Sequence, residues 1–256
     1  MGLEIFNSLK LGAIKPNISV SHQRSINFTS APSDTVEIKS LDRFTSETAI
    51  RNMIEKNPKI KAITSDFNPQ LTLNMKELQE LLNTHAKDTQ NISKEIVDNL
   101  TPALQNKINK QSLNDAAYLH DLGKVLIPEN ILNKPAKLTP EEYKIMDVHS
   151  DLSYELLKNS GLSDETLELI KNHHMKPKGL KAIIQNSQPS LALQILSTAD
   201  KYSALTEKRI YKSALTAQEA LTIIYRDVEN GKLNPQIFFA LAKAKTGTNQ
   251  ISHLKT

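Results

Sequence analysis

Seven side chains able to hold a cation recur through the middle of this sequence. They are His85, the adjacent pair His120-Asp121, His149, the pair His173-His174, and Asp200. Most sit in or at the end of stretches that look like buried helix, such as Ala116-Ala117-Tyr118-Leu119 before His120 and Ile195-Leu196 before Asp200. Taking imidazoles and carboxylates out of water is costly unless something compensates, and a bound metal ion compensates well. Each residue alone has an ordinary explanation, as a satisfied core histidine or a His-Asp pair capping a helix. Several separate helical segments each supplying such groups point instead to a metalloenzyme. With no cysteine in the chain, thiolate sites and disulfides are excluded. Mixed imidazole and carboxylate donors suit divalent Mn, Fe, Co, Ni or Zn. An aspartate can bridge two such ions. A pair about 3.5–4 Å apart can clamp a phosphodiester and make the water between them hydroxide-like near neutral pH. Lys124, three residues after Asp121, would supply a point charge to phosphate.

The elements that must position these groups read as helices throughout. Segment 71–99 carries Leu71, Leu78, Leu81, Leu82, Ile92 and Ile96 at roughly helical spacing. Thr101-Pro102 and Thr139-Pro140-Glu141-Glu142 are helix starts, with a capping oxygen and proline at the first helical position. The helix from Thr139 is predicted to run to about Asn159, stopped before Gly161, and the next from Ser163 to His174. Gly123 permits a sharp exit from the helix ending in His120-Asp121. Residues 127–137, with two prolines, and 175–189 read as loops. Helices are predicted over 191–206, 216–230 and 235–245. Strictly alternating Val, Ile and Thr runs are absent, so the fold class is all-α, with no internal repeat. Residues 1–45 mix Ser, Thr, Asn and Pro without periodicity and read as a flexible N-terminal arm, leaving 46–256 as the folded domain.

Bulk properties narrow the classes. At 256 residues and 39% hydrophobic content the chain can bury a sizeable core. Its net charge of +4, concentrated in 201–256, is too small to imply polymeric nucleic acid as a partner. No stretch approaches the roughly 18 apolar residues of a membrane span. The start lacks a secretory h-region, and Phe6 stands where a myristoylation motif wants Ser or Thr. The expected location is cytoplasmic.

From Leu119 to Glu142, and again from Ala199 to Thr216, the chain resembles the HD superfamily of metal-dependent phosphohydrolases, specifically its HD-GYP branch. The resemblance covers roughly residues 80–245 and implies an HD-type helical bundle. It carries the family's metal ligands onto His120, Asp121, His149, His173, His174 and Asp200, with His85 as the upstream histidine. It implies two divalent ions (Fe, Mn or a similar transition metal), with Asp121 bridging them and a metal-bridging hydroxide attacking phosphorus. Lys124, Arg209 and Lys212 take the positions that bind cyclic di-GMP. The implied activity is a phosphodiesterase acting on a cyclic dinucleotide such as cyclic di-GMP, with a homodimer or signalling partner protein as further expectations. Two departures stand out. Met175-Lys176-Pro177-Lys178-Gly179 follows the histidine pair and the Gly-Tyr-Pro signature is missing, leaving open another nucleotide phosphoester or a non-catalytic binding module. Leu81 stands where some members place a glutamate for a third ion, which favours two.

Overall fold

The structure, a computed structural model, describes residues 41–174, 189–207 and 214–247. Most of the proposed arm (1–40), the 175–188 part of the loop, and Arg209 and Lys212 lie outside the described residues.

Among the described residues the ordered elements are helical, as the sequence predicts: α1 (Glu47–Glu55), α2 (Pro58–Thr64), α3 (Met75–Leu81), α4 (Lys87–Asn99), α5 (Pro102–Gln105), α6 (Lys110–Leu119), α7 (Glu129–Leu132), α8 (Pro140–Asp147), α9 (His149–Leu157), α10 (Asp164–Asn172), α11 (Leu191–Thr206), α12 (Ala217–Glu229) and α13 (Pro235–Thr246). None of them is long and apolar enough to cross a membrane. Short polar residues set the starts. Ser163 Oγ accepts from Thr166 N at 3.1 Å and Ser190 Oγ from Leu193 N at 3.1 Å. Thr139 with Glu142, and Thr216 with Glu219, close reciprocal capping boxes.

Five local readings need correction. Residues 127–137, read as a loop, contain the single turn α7 (Glu129–Leu132). The 71–99 helix starts only at Met75, and residues Leu82–Ala86 within it form a π-helical segment that carries His85. Thr101 makes no side-chain cap, and the helix it precedes lasts a single turn. The helix from Thr139 breaks at Val148 into α8 and α9, so that His149 opens a new helix. Leu41–Thr45, assigned to the arm, is packed: Leu41 and Phe44 are buried, and Tyr118 donates to Asp42 Oδ1 at 2.9 Å. The apolar pair Leu41 and Phe44 brings the folded chain forward to residue 41.

The bundle is organised on α4, which packs against α6, α11 and α13. Its Ile92, Ile96 and Val97 join Leu119, Ile195, Ile237 and Phe238 in one buried cluster. Helix α9 lies against the 3-10 segment Leu122–Leu126 and against α10. The ends of α6, α8 and α10 and the middle of α11 thereby meet on one side of the core.

Candidate metal centre

Three of the histidines occupy helix ends. His120 is the C-cap of α6, His173 the C-cap of α10, and His149 follows the last residues of α8. The last carbonyls of a helix lack amide partners, and each ring uses one. His120 Nδ1 donates to Ala117 O at 3.0 Å, His149 Nδ1 to Met146 O at 2.7 Å and His173 Nδ1 to Ile170 O at 2.7 Å. Because a carbonyl only accepts, a proton is fixed on each Nδ1 and each Nε2 faces the site, with its lone pair free to bind a cation whenever the ring is neutral. The negative ends of these helices also favour a cation there.

The arrangement centres on Asp121. Its Oδ1 lies 3.2 Å from His149 Nε2 and 4.0 Å from His173 Nε2, and its Oδ2 lies 3.3 Å from His120 Nε2 and 3.5 Å from His85 Nε2. His174 Nε2 is 2.9 Å from His149 Nε2, and its Nδ1 is 3.9 Å from Asp200 Oδ2. Asp200 Oδ1 lies 3.0 Å from His85 Nε2 and 3.7 Å from His120 Nε2. All seven predicted residues therefore converge. They overlap in three potential ligand groups: His149, His173 and His174; His85, His120 and Asp121; and His120, His173 and Asp200.

Electrostatics prepare these groups to bind cations. Burial alone would raise Asp121, but the Lys124 ammonium and His120 hold its carboxyl well below the usual range. Asp200 is likewise held down, against burial, by His120 and His85. Burial and the neighbouring imidazoles push His173 well below the ordinary histidine value, and burial with His149 lowers His174 to about 4. His120 is the exception: burial pulls it down, but Asp121 and Asp200 overcome this and raise it to about 10. Two carboxylates are thus ionised at neutral pH, balanced by a proton on His120 and by Lys124, whose Nζ is 2.6 Å from Asp121 Oδ2.

The donor set fits divalent metal. His120 Nε2 and Asp121 Oδ1 are buried without a hydrogen-bond partner, an arrangement that needs an explanation. His149 Nε2 and His173 Nε2 approach to 3.3 Å although both rings have given their Nδ1 protons to carbonyls. Cations facing these lone pairs would satisfy them.

Gly123 has a different role from the predicted helix exit. It is absent from the positive-φ residues; instead, a Cβ there would lie 2.2 Å from His149 O and 2.6 Å from Ser153 N. Its N–H donates to Ser153 Oγ at 2.8 Å, and Ser153 Oγ donates to His149 O at 2.9 Å. The glycine lets the His120-Asp121 turn press against the first turn of α9. The sequence reading also missed Ser203, whose Oγ is 3.0 Å from His85 Nδ1. Its position three residues beyond Asp200 places it on the same helix face, which was the available signal.

Comparison with known proteins gives a consistent result. The chain is 36% identical over 139 residues to a cyclic di-GMP phosphodiesterase of Thermotoga maritima, covering 50% of this chain and 36% of that protein. It is 33% identical over 141 residues to a 3'3'-cGAMP-specific phosphodiesterase 1 of Vibrio cholerae, covering 52% and 32%. The matched region is thus about a third of the length of these relatives. The phosphodiesterase PgpH HD domain of L. monocytogenes, solved with cyclic-di-AMP, aligns at a TM-score of 0.46 and 18% identity over 69% of this chain and 96% of that one. A family model described as HD domain matches residues 70–237, and the chain belongs to that family.

Proposed function

We propose that this chain is a metal-dependent phosphodiester hydrolase that holds two divalent ions and acts on a cyclic dinucleotide. The observation that carries the reading is the placement of Asp121, with one oxygen toward His149 and His173 and the other toward His85 and His120. His149, His173 and His174 with Asp121 would hold one ion; His85, His120 and Asp200 with Asp121 would hold the other. When bound, such ions acidify water and neutralise phosphate charge. The site opens toward His174 and Lys124, whose side chains are 36% and 19% exposed. Lys124 Nζ, close to Asp121 Oδ2, can turn to an entering phosphate oxygen once the carboxylate is otherwise engaged. Arg209 and Lys212 would add cations to the same phosphates. The substrate class is suggested by the names of the relatives; cyclic di-GMP is the first candidate. A second copy or a signalling protein would be the regulatory partner, in the cytoplasm.

The test is metal analysis of the purified chain together with Mn-supported hydrolysis of cyclic di-GMP, 3'3'-cGAMP and bis(p-nitrophenyl) phosphate. Asp121→Ala should lose both ions and all turnover. Metal binding without hydrolysis of any of the three would make the chain a binding module, and hydrolysis of the generic ester alone would assign another phosphoester.

A further inference from the structure

His85 is held differently from the other rings. His120, His149 and His173 each give the Nδ1 proton to a peptide carbonyl, whereas Nδ1 of His85 meets the hydroxyl of Ser203, which both donates and accepts. The difference follows from position, because His85 lies inside a continuous helical stretch rather than at a helix end.

Ser203 is buried, and among the described residues its Oγ has no other hydrogen-bond partner. If the hydroxyl accepted a proton from Nδ1–H, its own hydrogen would be left without an acceptor in the core, a costly state. If it donates to Nδ1, the ring proton sits on Nε2, 3.0 Å from Asp200 Oδ1. The second arrangement satisfies every atom in the series Ser203 O–H, His85 Nδ1, His85 Nε2–H and Asp200 Oδ1.

We infer that Ser203 is a positioning residue that keeps His85, before a cation binds, with its proton on Nε2, the atom that must ligate. The inference rests on the proposed role of His85 as a ligand. On metal entry the Nε2 proton leaves to water, Nδ1 takes one from water, and the hydroxyl turns from donor to acceptor, with no net change in ring protonation. His149 and His173, locked by carbonyls, need no such exchange. The exchange therefore costs the His85 side part of its affinity for the ion.

The test is nitrogen-15 NMR of the full chain with labelled histidine side chains, freed of metal by chelator, with His85 identified from the spectrum of His85→Gln. The expected result is a neutral His85 with its proton on Nε2, His149 and His173 with theirs on Nδ1, and a shift of the His85 proton to Nδ1 on zinc addition. A metal-free His85 protonated on Nδ1, or on both nitrogens, overturns the inference. Ser203→Asp, which supplies only an acceptor, should tighten zinc on the His85 side about 10- to 100-fold in chelator competition. Unchanged or weaker binding by that variant, when folded, counts against the inference, and the wild-type spectrum decides without it. A wild-type chain that takes up no zinc overturns the metal reading and this inference together. Normal zinc uptake with Nδ1–H in the metal-free state overturns the inference alone.

Discussion

Replacing Gly123 with alanine tests whether the 3-10 turn and α9 must touch for the centre to exist. The added Cβ would lie 2.2 Å from His149 O, 2.6 Å from Ser153 N and 2.8 Å from Leu152 Cβ. These are mainly backbone atoms that cannot rotate away, so the turn and α9 must separate by roughly 1 Å to reach tolerable contact. Overpacking of this kind costs about 1–3 kcal/mol. Weakening of the Gly123 N–H bond to Ser153 Oγ adds about 1 kcal/mol. A total near 3 kcal/mol lowers the melting temperature by about 6–12 °C for a chain of this size. His149 rides on the displaced turn, and a shift of about 1 Å is several times the roughly 0.2 Å tolerance of a ligand distance. The ion on the His149, His173 and His174 side should be lost, while His85 and Asp200, carried by other elements, and His120, whose Nδ1 is anchored on Ala117 O of α6, keep theirs. Metal analysis after desalting should fall to one ion per chain and turnover by about 100-fold. A variant that retains both ions with unchanged melting and turnover would refute the argued contact.

Three further outcomes follow from the charges. Because the carboxylates raise His120 to about 10, cation binding at neutral pH should expel its proton and affinity should strengthen as pH rises toward that value; calorimetry in buffers of different ionisation enthalpy measures the release, and zero release contradicts the assignment. Glu155 is buried and its folded pKa drops from 4.5 to about 2: burial pushes it upward, but Lys158 Nζ at 2.7 Å, Lys59 Nζ at 2.6 Å and Asn57 Nδ2 at 2.9 Å prevail. Such a depressed carboxyl contributes about 3 kcal/mol that is present above its unfolded pKa and lost as pH falls from near 5 toward 2. Denaturant melts at several pH values should show that loss in the wild type and less of it in Glu155→Gln. Lys124→Ala should reduce kcat/KM about 10- to 100-fold through loss of one charged hydrogen bond, with metal content intact; a parallel loss of metal would make Lys124 a structural partner of Asp121 instead.

The convergence of the seven residues was legible from residue type because histidines and aspartates on buried helical segments need a common explanation, and the Leu119–Glu142 string narrowed the expected chemistry. Element positions were legible where a cap announced them, as at Thr139 and Ser163. The break at Val148 was not, since apolar spacing across 140–159 records which face is buried and not whether the helix is continuous. The π segment around His85 escaped for the same reason. The role of Gly123 was hidden because a glycine tolerated for left-handed backbone and one required for close approach look alike until the opposing chain is known.

These omissions share a cause with physical content. A histidine can present Nε2 to a metal only if something holds Nδ1, and in helical structure unclaimed carbonyls occur in the last turn. The break at Val148 supplies such a carbonyl for His149, and the ends of α6 and α10 supply them for His120 and His173. A ring inside a helical stretch has no such acceptor on its own turn and must borrow a side chain, as His85 does from Ser203. The interrupted helices therefore position the rings of this centre, and repairing the break at Val148 should displace His149 even though the sequence of ligands is unchanged.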